Sequence, residues 1–229
     1  MRIAMLEDDL DVAAAMQLWL EGGGHTVHHF ASGKAIVREA TRESFDLFLL
    51  DWQVPDMAGD EVLKWLREKN HSTVPVLFAT GRDSEQDIVS ILAAGADDYM
   101  VKPLRRGELL ARVDALHRRV RPREPEAEIF ELPPYRVDLV NRVVSVDNVA
   151  VELTDKEYDL TLFLFRNIGM LLSRGHISES VWGHQADIQS RTVDTHVSRV
   201  RKKLDLGPAR GLRLTPIYNF GYRLEKATA

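Results

Sequence analysis

The chain contains no cysteine, and this absence excludes disulfide scaffolds, zinc sites built on thiolates and catalysis by a thiol. It also contains no apolar run of the roughly 18 residues that a membrane-spanning helix needs. The first residues, MRIAMLEDD, turn acidic where a signal peptide would stay apolar, and no internal repeat or low-complexity tract follows. We therefore expect a cytoplasmic protein that makes no contact with a membrane.

Length and charge indicate two domains of different character. A chain of 229 residues is long for one compact domain and suits two of about 100 to 120 residues. Residues 1–120 carry 14 basic against 20 acidic side chains, whereas residues 133–229 carry 14 basic against 11 acidic ones. Since a basic domain can be held on phosphates and an acidic one cannot, the two halves are expected to have different partners.

The first half alternates short apolar runs with helix-length segments. This alternation predicts an α/β domain over residues 1–120, in which helices cover both faces of a parallel five-stranded sheet. We expect a doubly wound sheet with strand order 2-1-3-4-5. The predicted strands are Ile3 to Leu6, Thr26 to Phe30, Leu47 to Leu50, Val74 to Ala79 and Tyr99 to Val101, and the helices begin near Asp11, Gly33, Gly59, Ser84 and Gly107.

A smaller α+β domain is predicted for residues 129–229. It follows a linker at residues 121–128, where proline and charges of both signs break the apolar period. Short alternating stretches predict a small antiparallel sheet, and Thr154 and Glu157 form a capping box that starts a helix. A second helix is predicted from Ser173, a third from Arg191 to Leu206, and a closing hairpin from Arg213 to Leu224.

Polar residues at strand ends of the first domain suggest a reactive pocket. Glu7 and Asp8 follow the first strand and Asp51 follows the third, so the three carboxylates are expected to converge at one edge of the sheet. Converging carboxylates repel unless a cation lies between them, and their oxygens suit Mg²⁺. With the Thr80 hydroxyl and the Lys102 ammonium at two further strand ends, the set describes phosphoryl transfer to an aspartate.

Each of these residues also has a structural interpretation. An aspartate at a strand end is usually a helix cap or a turn former. Lys102, considered without the other residues, is more often a solvated or ion-paired surface lysine. The prediction of a phosphoryl site depends on the five matched positions together.

The helix predicted from Arg191 separates an apolar stripe from a polar face. Val193, Val197, Val200 and Leu204 recur at helical spacing. Residues 191–203 contain five Lys or Arg and one Asp, and such a face fits the DNA major groove, although a solvated amphipathic helix has the same pattern. The polar face consists of Arg191, Thr192, Thr195, Ser198, Arg199 and Lys202.

Four segments of the first half resemble the signature segments of the CheY-like receiver domain. They are LEDD at 6–9, LLDWQVPD at 49–56, FATGR at 78–82 and GADDYMVKP at 95–103. The resemblance implies that Asp51 is the phosphoacceptor and that a phosphohistidine on a sensor histidine kinase is the donor. It further implies a Mg²⁺ site formed by Asp8, Asp51 and the carbonyl of Gln53, with Glu7 acting through water, a switch pair formed by Thr80 and Tyr99, and a cis bond between Lys102 and Pro103.

The second half resembles the winged helix-turn-helix output domain of the OmpR/PhoB subfamily. The resemblance rests on LTDKEYDLTLFL, VWG, RTVDTHVSRVRKKL and FGYRL. It implies that the helix from Arg191 is the recognition helix, that the closing hairpin is a wing in the minor groove, and that the loop from Trp182 to Gln189 is a candidate contact to RNA polymerase. Tyr218 and Asn219 stand at the wing tip, where the family commonly has an Arg-Gly pair.

The resemblance also implies a receiver homodimer with charged pairs across its interface. Asp98 and Arg112 match one expected pair. Ile88 stands where the family has a basic residue, so Glu108 lacks that partner. Because exposed ion pairs contribute only about 0–1 kcal/mol each, we expect the dimer to persist, either weakened or in a different register.

These patterns together predict a response regulator of a two-component system. Phosphorylation of Asp51 would favour a receiver dimer that places two winged-helix domains on tandem half-sites of double-stranded DNA. The protein would not be an enzyme beyond its own phosphorylation and dephosphorylation. One alternative is a phosphorylation-independent regulator that uses the receiver only to dimerise. Another is a metal-dependent aspartyl-phosphate phosphatase of the haloacid dehalogenase type, but that chemistry needs an aspartate where this chain has Gln53.

Overall fold

A computed structural model describes residues 1–70, 72–120, 128–183 and 190–227. The chain forms two compact units. The predicted linker at residues 121–128 lies outside the described residues except for Glu128. Within the described ranges, every helix is either too short or too polar to cross a bilayer.

The first unit is a parallel sheet of order β2-β1-β3-β4-β5, as predicted. Its strands carry continuous apolar runs because helices cover both faces, and all four residues of β3 are buried. The strands are β1 Arg2–Leu6, β2 Thr26–Phe30, β3 Leu47–Leu50, β4 Val76–Thr80 and β5 Asp98–Val101; the helices are α1 Leu10–Gly22, α2 Gly33–Ala40, α3 Gly59–Lys64, α4 Glu85–Ala93 and α5 Arg106–Val120.

Helix caps and one arginine set the element boundaries in this unit. The side chains of Asp9, Ser32 and Ser84 accept hydrogen bonds from backbone N–H groups at the starts of α1, α2 and α4. β4 begins two residues later than the predicted Val74. The reason is that the Arg67 guanidinium binds the carbonyl of Val74 at 2.9 Å, which removes this group from the strand ladder.

Over its described residues, the second unit combines two antiparallel sheets with three α-helices, as expected for an α+β domain. One sheet has the order β6-β7-β8-β9 and the other β10-β12-β11. The strands are β6 Ile129–Leu132, β7 Tyr135–Asp138, β8 Val143–Val146, β9 Val149–Val151, β10 Leu171–Ser173, β11 Leu212–Ile217 and β12 Gly221–Lys226; the helices are α6 Asp155–Arg166, α7 Arg174–Trp182 and α8 Ser190–Lys203.

The predicted helix starts of this unit are confirmed, and two of its features differ from the prediction. Thr154 caps α6 through the predicted box with Glu157. α8 ends at Lys203, three residues before the predicted Leu206, because Asp205 adopts a left-handed conformation that stops the helix. The short strand β10 was not predicted. It pairs with β12 so closely that a Cβ atom at Gly221 would lie 2.0 Å from the carbonyl oxygen of Leu172.

Candidate functional site

Three carboxylates converge at the carboxyl edge of the parallel sheet. Glu7 and Asp8 leave β1 and Asp51 leaves β3, and β1 and β3 are neighbours in the sheet. One oxygen from each carboxylate lies within 4.8 Å of the others. Glu7 and Asp51 are buried, whereas Asp8 is exposed. An open group of three carboxylate oxygens offers the ligands that hard divalent cations prefer.

Lys102 provides a cation inside this cluster. Its Nζ atom lies 2.7 Å from Oε2 of Glu7 and 2.7 Å from Oδ2 of Asp51. Burial lowers the pKa of Lys102, but the hydrogen bonds to Asp51 and Glu7 outweigh burial and raise this pKa overall. Burial raises the pKa of Glu7, and the bond to Lys102 only partly opposes this effect. Lys102 therefore holds two buried carboxylates together against their mutual repulsion.

The backbone after Asp51 is held close to the cluster. The N–H of Gln53 donates to Oδ1 of Asp51 at 3.3 Å, and the N–H of Gly59 donates to the carbonyl of Trp52 at 2.9 Å. A Cβ atom at Gly59 would lie 2.1 Å from the carbonyl oxygen of Asp51, so only glycine fits at the start of α3. The Lys102-Pro103 peptide bond is cis, as expected.

The two predicted switch residues both contact the backbone of Arg82. Thr80 ends β4 and is fully buried, and the N–H of Arg82 donates a long hydrogen bond of 3.5 Å to its hydroxyl. Tyr99 lies on the neighbouring strand β5 and is buried as well, and its hydroxyl donates to the carbonyl of Arg82. Burial is the main reason that the pKa of Tyr99 is raised. The backbone of Arg82 thus contacts both predicted switch side chains.

The Arg82 side chain extends this link toward α4. Its guanidinium lies 4.5 Å from the ring centre of Trp52, which directly follows Asp51. It also lies 3.2 Å from the carboxylate of Asp87 on α4. No sequence pattern indicates a role for Arg82: it stands inside the FATGR segment, but its partners come from three separate parts of the chain.

The structure divides the basic residues of α8 into two groups. The predicted stripe of Val193, Val197, Val200 and Leu204 is buried. Two basic residues have partners within the domain: Arg201 donates to the carbonyl of Leu214 at 2.8 Å, and Lys203 lies 2.7 Å from the buried carboxylate of Glu157. The other three basic residues, Arg191, Arg199 and Lys202, are exposed. Of the polar residues on the same face, Thr195 and Ser198 are exposed and Thr192 is half-buried.

Asp194 connects α8 to both neighbouring elements. Its Oδ1 atom accepts from Nε of Arg174 on α7 at 2.8 Å and from the hydroxyl of Tyr222 on β12 at 2.6 Å. The Arg174 guanidinium also lies over the Tyr222 ring, 5.2 Å from its centre. Burial, together with the Asp194 carboxylate, raises the pKa of Tyr222 to about 12. We call these three residues the Asp194 clamp; no sequence pattern had indicated it.

Comparisons with known proteins identify both domains. Residues 3–114 match the model of the response regulator receiver domain, and residues 148–224 match that of the transcriptional regulatory protein C terminal domain. The sensory transduction protein RegX3 of Mycobacterium tuberculosis is 37% identical over 225 residues, which cover 97% of this chain and 98% of the relative. The chain belongs to the OmpR/PhoB family of two-component response regulators. It therefore combines a receiver with a DNA-binding domain.

Further relatives support this assignment. The response regulator protein PmrA of Pseudomonas aeruginosa is 38% identical over 205 residues, which cover 89% of this regulator and 91% of PmrA. Among solved structures, the receiver domain of the Francisella response regulator 1452 has a TM-score of 0.50 at 28% identity. That comparison covers 52% of this chain and 98% of the solved one.

The three charged residues expected at the receiver dimer interface of this response regulator pair with one another within one chain. Arg112 on α5 lies 3.0 Å from Asp98 and 2.8 Å from Glu108. The hydrogen bonds to Glu108 and Asp98 raise the pKa of Arg112. Glu108 thus has a partner although Ile88 cannot serve as one. Ile88 is half-buried and packs against the core of the receiver.

The wing of this regulator ends in a short loop after the last pair of the hairpin, Ile217 and Gly221. Tyr218 is 91% exposed. Asn219 has a φ of 56°, which places it in the left-handed region that turns use. The predicted RNA polymerase loop from Trp182 to Gln189 lies outside the described residues beyond Gly183.

Proposed function

We propose that this response regulator is phosphorylated on Asp51 by a sensor histidine kinase. An Asp51 oxygen forms a bond to phosphorus as the phosphorus–nitrogen bond of the donor phosphohistidine breaks, and the histidine nitrogen leaves. The observation that carries the proposal is the meeting of three carboxylate oxygens within 4.8 Å with a lysine ammonium 2.7 Å from Asp51. A structural ion pair would not require the exposed third carboxylate of Asp8.

The same cluster fits a magnesium ion. Asp8 and Asp51 would hold it together with the backbone carbonyl of Gln53, and Glu7 would contribute through a water molecule. When bound, the ion neutralises charge on the transferred group. Lys102 would then bind a phosphoryl oxygen with the ammonium that now joins Glu7 and Asp51. The buried Thr80 hydroxyl would donate to a second oxygen.

Phosphorylation would be transmitted to the dimer surface through Arg82. When the Thr80 hydroxyl turns toward the phosphoryl group, it gives up its long bond to the N–H of Arg82, and Tyr99 is bonded to the carbonyl of this same residue. The Arg82 side chain contacts Asp87, so the change reaches α4. These contacts support a two-state element biased by a local charge.

The proposed output is a homodimer on tandem DNA half-sites. Arg112 would exchange one of its partners within the chain for Asp98 or Glu108 of a second copy, and Ile88 would give this interface an apolar contact. Two tethered winged-helix domains bind half-sites about one helical turn apart with higher effective affinity. The DNA contacts proposed are the exposed groups of α8 with Tyr218 and Asn219.

The remaining parts of the proposal follow from this role. The domain division is 1–120 and 129–229 with a linker at 121–128, and the protein acts in the cytoplasm, where its DNA is. The loop from Trp182 to Gln189 would contact RNA polymerase. The only reactions catalysed would be the protein's own phosphorylation and dephosphorylation, since Gln53 stands where a phosphatase of the dehalogenase type needs an aspartate.

One observation favours a second candidate, a regulator whose switch does not depend on phosphate. Tyr99 is buried and its hydroxyl donates to the carbonyl of Arg82, a contact that does not need a phosphoryl group on Asp51. In this alternative, the receiver would hold the dimer permanently and Lys102 would remain the counterion of the pocket.

A phosphodonor experiment tests the proposal. The wild type and the Asp51→Ala variant are incubated with a small-molecule phosphodonor and Mg²⁺, and their intact masses are measured. We expect the wild type to gain one phosphoryl group and Asp51→Ala to gain none. Asp11→Asn, which removes an exposed carboxylate outside the cluster, should behave like the wild type. An unmodified wild type, or equal labelling of Asp51→Ala, would refute the assignment.

A further inference from the structure

Two hydrogen bonds fix the wing alongside α8 and define its direction. Asp194, in the first half of α8, accepts from Tyr222, which lies next to the wing tip. Arg201, in the last turn of α8, donates to the carbonyl of Leu214, farther from the tip. The wing tip therefore lies toward the N-terminal end of α8. This is the end at which a helix in the major groove presents its side chains to the bases.

The conformation of the tip makes Tyr218 project from the protein. The N–H of Phe220 donates to the carbonyl of Ile217 at 3.1 Å and closes the turn. Asn219 supplies the left-handed residue that this turn needs. Tyr218 stands between them and is 91% exposed, more than any other large hydrophobic residue in the described part of the chain. A large aromatic ring gains little by facing water but contributes strongly at interfaces.

The tip differs in charge from the neighbouring helix surface. Residues 217–221 include no charged side chain, whereas α8 exposes Arg191, Arg199 and Lys202. A cation bound to a DNA phosphate releases a counterion, and its contribution falls with salt. A neutral ring packed on deoxyribose and base edges releases none. The wing tip and α8 can therefore contribute to DNA affinity in physically different ways.

We propose that Tyr218 is a salt-independent DNA contact: its ring packs on the sugar and base edges of the groove beside the recognition helix. The inference rests on the proposed DNA complex and adds to it a neutral aromatic anchor at the end of the wing. The affinity supplied by Tyr218 should be the same at low and high salt, whereas the affinity supplied by Lys202 should fall as salt rises.

The test compares variants of the full-length protein on one duplex across a salt series. The probe is a DNA duplex recovered by repeated selection from a random library with the phosphorylated wild type. We expect Tyr218→Ala to bind about tenfold more weakly at every salt concentration, with an unchanged slope of log affinity against log salt. Lys202→Ala, the matched control, should reduce the magnitude of this slope by about 0.9, the value for one phosphate contact.

Two further variants sharpen the result. Tyr218→Phe should keep most of the affinity if the ring makes the contact, and Tyr218→Arg should increase the magnitude of the salt slope by about 0.9 if the tip reaches a phosphate-lined groove. Equal affinity of Tyr218→Ala and the wild type would overturn the inference, as would a change in slope like that of Lys202→Ala. A wild type that selects no duplex at all would instead refute the proposed DNA complex, and the inference with it.

Discussion

The pocket of the receiver and the DNA-facing surface of the second domain are both built from charged side chains, but they differ in where the opposite charge comes from. In the pocket, Lys102 forms ion pairs with Glu7 and Asp51 from within the domain and offsets part of their negative charge. On α8, Arg201 and Lys203 bind groups within the domain, whereas Arg191, Arg199 and Lys202 are exposed to solvent and would find their counterions on DNA phosphates. A buried cluster with its own counterion suits a switch, and an open row of cations suits reversible binding to DNA.

The largest effect that this difference predicts is the loss of the internal counterion. Lys102→Ala should slow the phosphorylation of Asp51 by about 100-fold or more, because a positioned cation is removed from the charge that develops during transfer. The rate of mass gain with a phosphodonor and Mg²⁺ measures this effect. Lys34→Ala, which removes an exposed lysine on α2, should leave the rate unchanged. A rate for Lys102→Ala within twofold of the wild type would contradict the assigned role.

The next effect concerns the Asp194 clamp, where a tyrosine donates to a carboxylate. Tyr222→Phe should lower the free energy of unfolding by about 1.5–3 kcal/mol, the range for a hydrogen bond to a charged group. It should also weaken DNA binding because the wing loses its anchor on α8. The matched control is Tyr158→Phe, since Tyr158 donates to a neutral backbone carbonyl. Its cost should be about 0.5–1.5 kcal/mol in urea unfolding, and equal costs would show that the charge on Asp194 is unimportant.

A smaller change in stability, with a distinct functional signature, is expected for Arg82. Its ion pair with Asp87 is partly exposed, so Arg82→Ala should cost only about 0–1 kcal/mol. The variant should still be phosphorylated, yet the gain in DNA affinity on phosphorylation should shrink because the link to α4 is lost. Arg105→Ala, another exposed arginine of the receiver, serves as the control. A full gain in affinity for Arg82→Ala would remove Arg82 from the transmission path.

A further effect of similarly small size is a pH dependence in the second domain. Burial acts to raise the pKa of Glu157, but the hydrogen bonds to Lys203 and Thr154 outweigh burial and lower this pKa overall from its ordinary value of 4.5. A lowered pKa stabilises the fold above the unfolded value, and this stability is lost as pH falls through the folded value. Glu157→Gln should therefore be less stable than the wild type at pH 7 by about 0.5–1 kcal/mol. In urea unfolding at pH 7, 5, 4 and 3, the gap should close below pH 4.5; a constant gap would contradict the assignment.

Strand ends were predictable from the sequence, and contacts between distant elements were not. The sheet order and the convergence of Glu7, Asp8 and Asp51 follow from alternating apolar runs, because the carboxyl ends of parallel strands share one edge. The role of Arg82 depends on Trp52, Tyr99 and Asp87 meeting after folding. No sequence pattern around Arg82, Trp52, Tyr99 or Asp87 predicts these contacts.

Two other features that the sequence did not predict have local physical causes. β10 has three residues, too few to show an alternating pattern, and it forms only because Gly221 lets β12 approach closely. The resemblance pairs Glu108 with position 88 of a second copy, whereas its partner in the structure is Arg112, one helical turn away on the same helix.

The most direct test of the central claim is the DNA affinity of one preparation before and after phosphorylation of Asp51, with Asp51→Asn treated in parallel. The account predicts that phosphorylation tightens binding of the wild type by about tenfold or more through dimer avidity, and that Asp51→Asn does not respond. Equal affinity of the wild type with and without the phosphoryl group would contradict it, because the pocket would then have no effect on the DNA-binding domain.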